Sequence, residues 1–131
     1  MSEFYEKVKS YLLELEFDVL HENPADQLFI IDDEESGIKN LIIDCEDPIL
    51  ILEQLIMPIP VHPGELFKRL LQINRTLVHG AFVLDESGTR LFFRDTLQLA
   101  NLDRNELEGS IYALELALAE NSAELLEFAK Q

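Results

Sequence analysis

The densest run of chemically capable side chains is Asp32-Asp33-Glu34-Glu35-Ser36-Gly37, in which carboxylates lead into a hydroxyl and a glycine. Carboxylate-rich loops hold calcium when their spacing is right. An EF-hand loop starting at Asp32 needs a bidentate Glu at its twelfth position, and Ile43 stands there. The segment therefore reads as a solvated hairpin tip. Asp44, Glu46 and Asp47 make a second acidic turn. Paired carboxylates perform acid–base chemistry in a pocket that drives their pKa values apart, and an exposed turn seldom offers one. His21, His62 and His79 are far apart and lack metal-pair spacing. Cys45 would be a nucleophile only with a histidine base beside it. Its place at the end of an alternating strand makes it a small core or edge residue. Gly64 and Gly80 carry no phosphate-loop pattern, and Ser36 and Ser87 occupy turns rather than a nucleophile elbow. The residues call for no catalytic set, no metal and no cofactor.

Composition narrows the class further. A chain of 131 residues that is 47% hydrophobic is long enough for one sizeable core and is expected to form a single domain over 1–131. The formal net charge is −16. Such a field repels a phosphate backbone, so no nucleic-acid partner is expected, whereas a basic protein segment would be attracted. Glu3, Glu6, Lys7 and Lys9 stand where a signal peptide would be apolar. The stretch Pro48–Glu65 contains Glu53 and several prolines, so no membrane span is expected. A lone cysteine excludes an internal disulfide and fits a cytoplasmic location.

Two stretches, Leu28–Ile43 and Ala81–Phe93, join apolar β-prone runs through Glu-Ser-Gly turns. They read as hairpins, with Gly37 and Gly88 at positive φ. Phe4–Leu15 places Phe4, Val8, Tyr11, Leu12 and Leu15 on one helical face. Phe17–Glu22 is a short strand and Ile49–Met57 a longer one. A middle helix starts near Pro63 and runs to about Val78, with Gly80 placed as its cap and an apolar stripe wider than a core-facing helix needs. Asp103 and Glu106 form a capping box for a last helix, which Asn121-Ser122 is expected to break. The fold class is α+β: an antiparallel sheet with flanking helices, in the order α-β-β-β-(β)-α-β-β-α.

The Ile49–Met57 strand is apolar on both sides. Ile49, Ile51, Glu53, Leu55 and Met57 share one face, and Leu50, Leu52, Gln54 and Ile56 the other. Few helices accompany it, so a partner or second subunit is expected to cover one side. Phe92 shares a face with Arg94, Thr96 and Gln98, which sets it apart from the core aromatics.

The element order resembles the YbjN family when read with Leu70-Leu71-Gln72-Ile73-Asn74-Arg75 and the hairpin Phe82-Val83-Leu84-Asp85-Glu86-Ser87-Gly88. That family shares the type III secretion chaperone-like fold. The resemblance covers Met1 to about Ala119 and implies homodimers that bind protein without catalysis. The resulting expectation is a non-catalytic protein-binding module, chaperone-like or regulatory, that holds a protein or peptide partner on an apolar sheet and helix surface. Leu50, Leu52, Ile56 and Phe92 are assigned to the partner, and Leu70, Ile73 and Leu77 to packing or the dimer. The alternative is a small-ligand-binding protein or enzyme with a pocket between helix and sheet, which requires convergent polar groups there.

Overall fold

The structure is a computed structural model that describes residues 3–130. Its elements run α1 (Glu3–Glu14), β1 (Asp18–Asn23), β2 (Leu28–Asp33), β3 (Ile38–Glu46), β4 (Ile49–Pro58), α2 (Leu66–Asn74), β5 (Ala81–Leu84), β6 (Arg90–Gln98) and α3 (Arg104–Ala129). The order matches the sequence pattern, with four strands before the middle helix. The strands form one antiparallel six-stranded sheet, β1-β2-β3-β4-β6-β5. Both Glu-Ser-Gly turns close as expected, with Gly37 at φ 82° and Gly88 at φ 72°.

The helices gather on one face of the sheet. Tyr5 of α1 stacks on Phe29 of β2, with ring centroids 4.5 Å apart. Ser110 of α3 donates to the Asp95 carboxylate of β6 across 2.7 Å. Arg69 of α2 pairs with Glu124 of α3, which ties the short helix to the same layer. Between the layers lies a contiguous core that includes Val8, Leu12, Phe29, Ile31, Ile43, Leu50, Leu52, Leu66, Leu91, Phe93, Leu107 and Ile111. Strand alternation sends every second side chain into it.

Local chemistry explains where the elements stop. The Asp103 carboxylate accepts from the Glu106 N–H at 2.7 Å, and the Glu106 carboxylate accepts from the Asp103 N–H at 3.3 Å, completing the expected capping box. The last helix does not break at Asn121-Ser122 but continues for 26 residues. Asn121 Nδ2 donates to the Ala117 carbonyl at 2.9 Å, and Ser122 Oγ donates to the Leu118 carbonyl, so both side chains are satisfied within the helix. The middle helix is shorter than its periodicity predicts, at nine residues. Gly64 takes φ 56° after Pro63, which delays its start, and the chain leaves it at Arg75. Gly80 is consequently not its cap. It sits at φ 76° before β5, where a Cβ would lie 2.4 Å from the Phe93 ring, so glycine there serves a close approach.

Two side-chain amides finish the sheet where strand pairing runs out. Gln54 is buried inside. Its Oε1 accepts from the Lys39 N–H at 3.0 Å and its Nε2 donates to the Gly37 carbonyl at 3.1 Å. At the β5 edge, Asn74 Nδ2 donates to the Phe82 carbonyl at 3.0 Å, and the Phe82 N–H donates to Asn74 Oδ1 at 2.8 Å. One amide thus occupies both backbone groups of an edge residue that would otherwise be open to a further strand. Replacing Asn74 with Ala strands both groups beside the core and is expected to lower unfolding free energy by about 1–3 kcal/mol in urea titrations.

Candidate functional site

The face of the sheet opposite the helices carries the other half of the strand pattern. Paired residues of adjacent strands share a face, so the register defines its rows. One runs Ile30, Ile42, Glu53, Arg94, Ala81; the next runs Leu28, Asp44, Ile51, Thr96. A third places Leu55 beside Phe92 and Phe92 beside Val83. A depression of about 520 Å3 lies in this face, with Ile42, Ile51, Leu55's neighbour Phe92 and Val83 supplying apolar walls and Asp44, Glu53 and Arg94 the polar ones. Ile42 and Leu55 are exposed, Leu55 at 49%.

Phe92 lies between Leu55 and Val83 on this surface. The Arg90 guanidinium lies over its ring, 5.5 Å from the centroid. Arg90 is itself held by Asp85, Nε to Oδ2 at 2.9 Å. That hydrogen bond, with others from Ser87 and the backbone, holds the Asp85 carboxyl at about 2. Phe92 is therefore steadied from one side and open on the other. Asp44 has the opposite environment. Burial beside Ile51, reinforced by Glu46 and then Asp26, pushes its carboxyl up to about 6, and its Oδ1 is buried without a hydrogen-bond partner.

The assignment of Leu50 and Leu52 to a partner is corrected. They are 0% and 3% exposed and face the helices. Both sides of β4 are apolar, so periodicity cannot tell them apart. The usable signal was Glu53: an ionised carboxylate is costlier to bury than the Gln54 amide, so the Glu53 side belongs outside. Ile56 does not lie on the open face either. A bulge between Leu55 and Met57 shifts the register and leaves Met57 buried and Ile56 partly buried against the core. Ile56 lines a groove with Leu118 and Leu125 of α3. Of the residues assigned to a partner, Phe92 alone lies on the open face. Ile42, Ile51 and Leu55, not among those assigned residues, share that face with it.

A second apolar surface lies where α2 meets the β5 edge. Leu70 and Ile73 are buried, and Leu77 packs partly against the core, so these are packing residues. Phe67 and Leu71 point outward instead, Leu71 at 72% exposure. With Leu84 and Leu91 they line an apolar groove of about 330 Å3. Its polar contributor, Asn74, is already engaged by Phe82.

The other candidate groups stay apart. His21, His62 and His79 are all exposed, on β1 and in two separate loops. Among the described residues no group of three or more His, Cys, Asp or Glu side chains could hold a metal ion. Cys45 is buried, and that burial pushes its thiol up to about 11, so it stays protonated at neutral pH.

Comparison with known proteins gives the class. The model of the CesT_Tir_1 family matches residues 1–131, and the chain belongs to that type III secretion chaperone family. Solved structures share the fold. YbjN from E. coli aligns over 92% of each chain with TM-score 0.72 at 14% identity. The HopA1–SchA chaperone–effector complex aligns over 88% of this chain and 91% of that one, TM-score 0.65 at 16% identity. The Yersinia pestis type III secretion chaperone SycH, solved with a fragment of YscM2, aligns over 88% and 98%, TM-score 0.61 at 12% identity. A comparison with curated protein sequences finds no match. Among the described residues no helix is long and apolar enough to cross a membrane.

The Asp44 environment predicts a pH effect with a definite sign. Its folded pKa lies above its unfolded one, so ionising it destabilises the fold. The penalty is complete above about pH 6 and absent below about pH 4. Asp44→Asn is expected to raise stability at pH 7–8 by on the order of 1 kcal/mol, after discounting for solvent screening. That gain should vanish by pH 4 in paired urea titrations.

Proposed function

We propose that this chain is a non-catalytic, chaperone-like protein-binding module, a single domain over 1–131 that works in the cytoplasm as a homodimer. It holds an extended segment of a protein partner on the open face of its sheet. The observation that carries this reading is the one-sided helix layer, which leaves Ile42, Ile51, Leu55 and Phe92 without cover from the chain's own helices. An extended segment suits the surface because its side chains alternate at the pitch of the rows beneath. Two neighbours of the same fold are a chaperone bound to an effector and a chaperone bound to a fragment of YscM2, and they support the analogy. The apolar groove of α2 and β5 suits a second copy, through Phe67, Leu71 and Leu84. A pocket enzyme would need free polar groups converging between helix and sheet, and the groove found there offers an amide that is already paired.

Phe92→Asp tests the partner surface. The residue is half-buried and outside the core, so circular dichroism and melting temperature should stay near wild type. Affinity for a partner recovered by capture from the native cell and then titrated calorimetrically should fall at least about tenfold. Unchanged affinity rejects the assignment. Leu71→Glu tests the dimer: sedimentation equilibrium should show a dimer for the wild type and a monomer for the variant, and a monomeric wild type contradicts it.

A further inference from the structure

Gly109 lies inside α3, yet nothing in the fold requires a glycine there. Its φ is not positive, and a Cβ built on it meets nothing within 4 Å. Glycine weakens a helix interior, so its presence calls for another reason. The gap opens into a cavity of about 350 Å3 walled by Phe17 and Tyr112, with Ile111 beneath and the carboxylates Glu108 and Glu115 at its margin. Tyr112 is 55% exposed, so the core makes little use of its ring. Phe17 follows Glu16 and precedes Asp18, and both of those line an adjacent depression of about 410 Å3. The rest of that depression is Asp32, Asp33, Glu34 and Glu35. No lysine or arginine lines either hollow. Arg104, beside Asn105 in sequence, pairs with Glu14 at 3.7 Å. Burial and then the nearby Asp33 raise the Glu115 carboxyl, only partly offset by a hydrogen bond from Ser36, so this margin would gain from an incoming cation.

We propose that this cavity receives an arginine side chain from a basic segment of a partner protein. The planar guanidinium lies against the Phe17 and Tyr112 rings and pairs with Glu108 and Glu115. Further basic residues of the segment follow the acidic depression between β1 and the β2–β3 turn. Arginine fits better than lysine because its flat face stacks on aromatic rings while its edge donates to carboxylates. A metal ion does not fit, since the carboxylates do not converge as ligands. The site is separate from the open sheet face, and Phe92 has no part in it.

The probe is a fluorescein-labelled nonapeptide of alternating arginine and glycine, followed by anisotropy at low salt. Binding to the wild type is expected, with affinity falling as salt is added. The lysine–glycine counterpart should bind several-fold more weakly. Tyr112→Ala and Gly109→Leu should each weaken arginine-peptide binding by about tenfold, while Phe92→Asp leaves it unchanged. Gly109→Leu fills open space and improves helix propensity, so its melting temperature should not fall. Should it misfold, Tyr112→Ala at its exposed position decides alone. The proposal is overturned if no binding occurs at low salt, if lysine equals arginine, or if Tyr112→Ala binds like the wild type. The last result would reduce the effect to diffuse charge. Because Phe92→Asp serves as the control, failure here and failure of the sheet-face reading are told apart.

Discussion

The apolar stripes of α1 and α3 meet the sheet from the same side, and the rest of the structure follows from that restriction. Sheet side chains alternate, so each strand residue sent to the helices has a neighbour sent away from them. Leu50 and Leu52 are buried on the helix side while Ile51 and Leu55 emerge opposite. A sheet with one solvated face ordinarily turns polar residues outward. Here the outer rows keep Ile30, Ile42, Ile51, Leu55 and Phe92, so this face departs from that pattern.

The polar residues on and around the sheet serve to keep that surface defined. Gln54 closes β3 onto β4 from within, and Asn74 closes the β5 edge. Each does with one amide what an additional strand residue would do with its backbone. Phe82 of the β5 edge is thereby closed to a further strand, while β1 forms the opposite edge of the sheet. The charge of −16 acts alongside: it sets up a field that repels other anions and favours contact with basic groups.

Much of this was legible in the residues, for identifiable reasons. The hairpins announced themselves because Gly37 and Gly88 occupy backbone conformations that other residues resist, and the Asp103–Glu106 capping box because its spacing is specific. The family likeness, read from the Leu70–Arg75 segment and the following hairpin, agrees with the family match and the fold. Asn74 within that segment proves to be the edge clasp. Less legible were features set by tertiary context. The sidedness of β4 depends on which face the helices choose, and the Leu55/Met57 bulge shifts the alternation beyond it. Asn121 looked like a helix breaker because its competition with the backbone is visible in sequence, whereas its bond to Ala117 is not. Phe92 stood out because it broke the core period of its own strand. Ile42 and Leu55 did not, and only the strand register places them on the same face as Phe92.

Membership of the secretion chaperone family and the one-sided helix layer both support the proposed reading of the open sheet face as a protein-binding surface. On the proposed reading, this face is open in the free protein and covered when a partner is held. Methyl-labelled NMR with a soluble paramagnetic probe measures this directly. Strong relaxation of the Ile42, Ile51 and Leu55 methyls is expected in the free protein, with protection of Leu50 and Leu52, and loss of the outer signals' relaxation on adding partner. Equal protection of both sets in the free protein, or outer methyls that stay exposed in the complex, would contradict it.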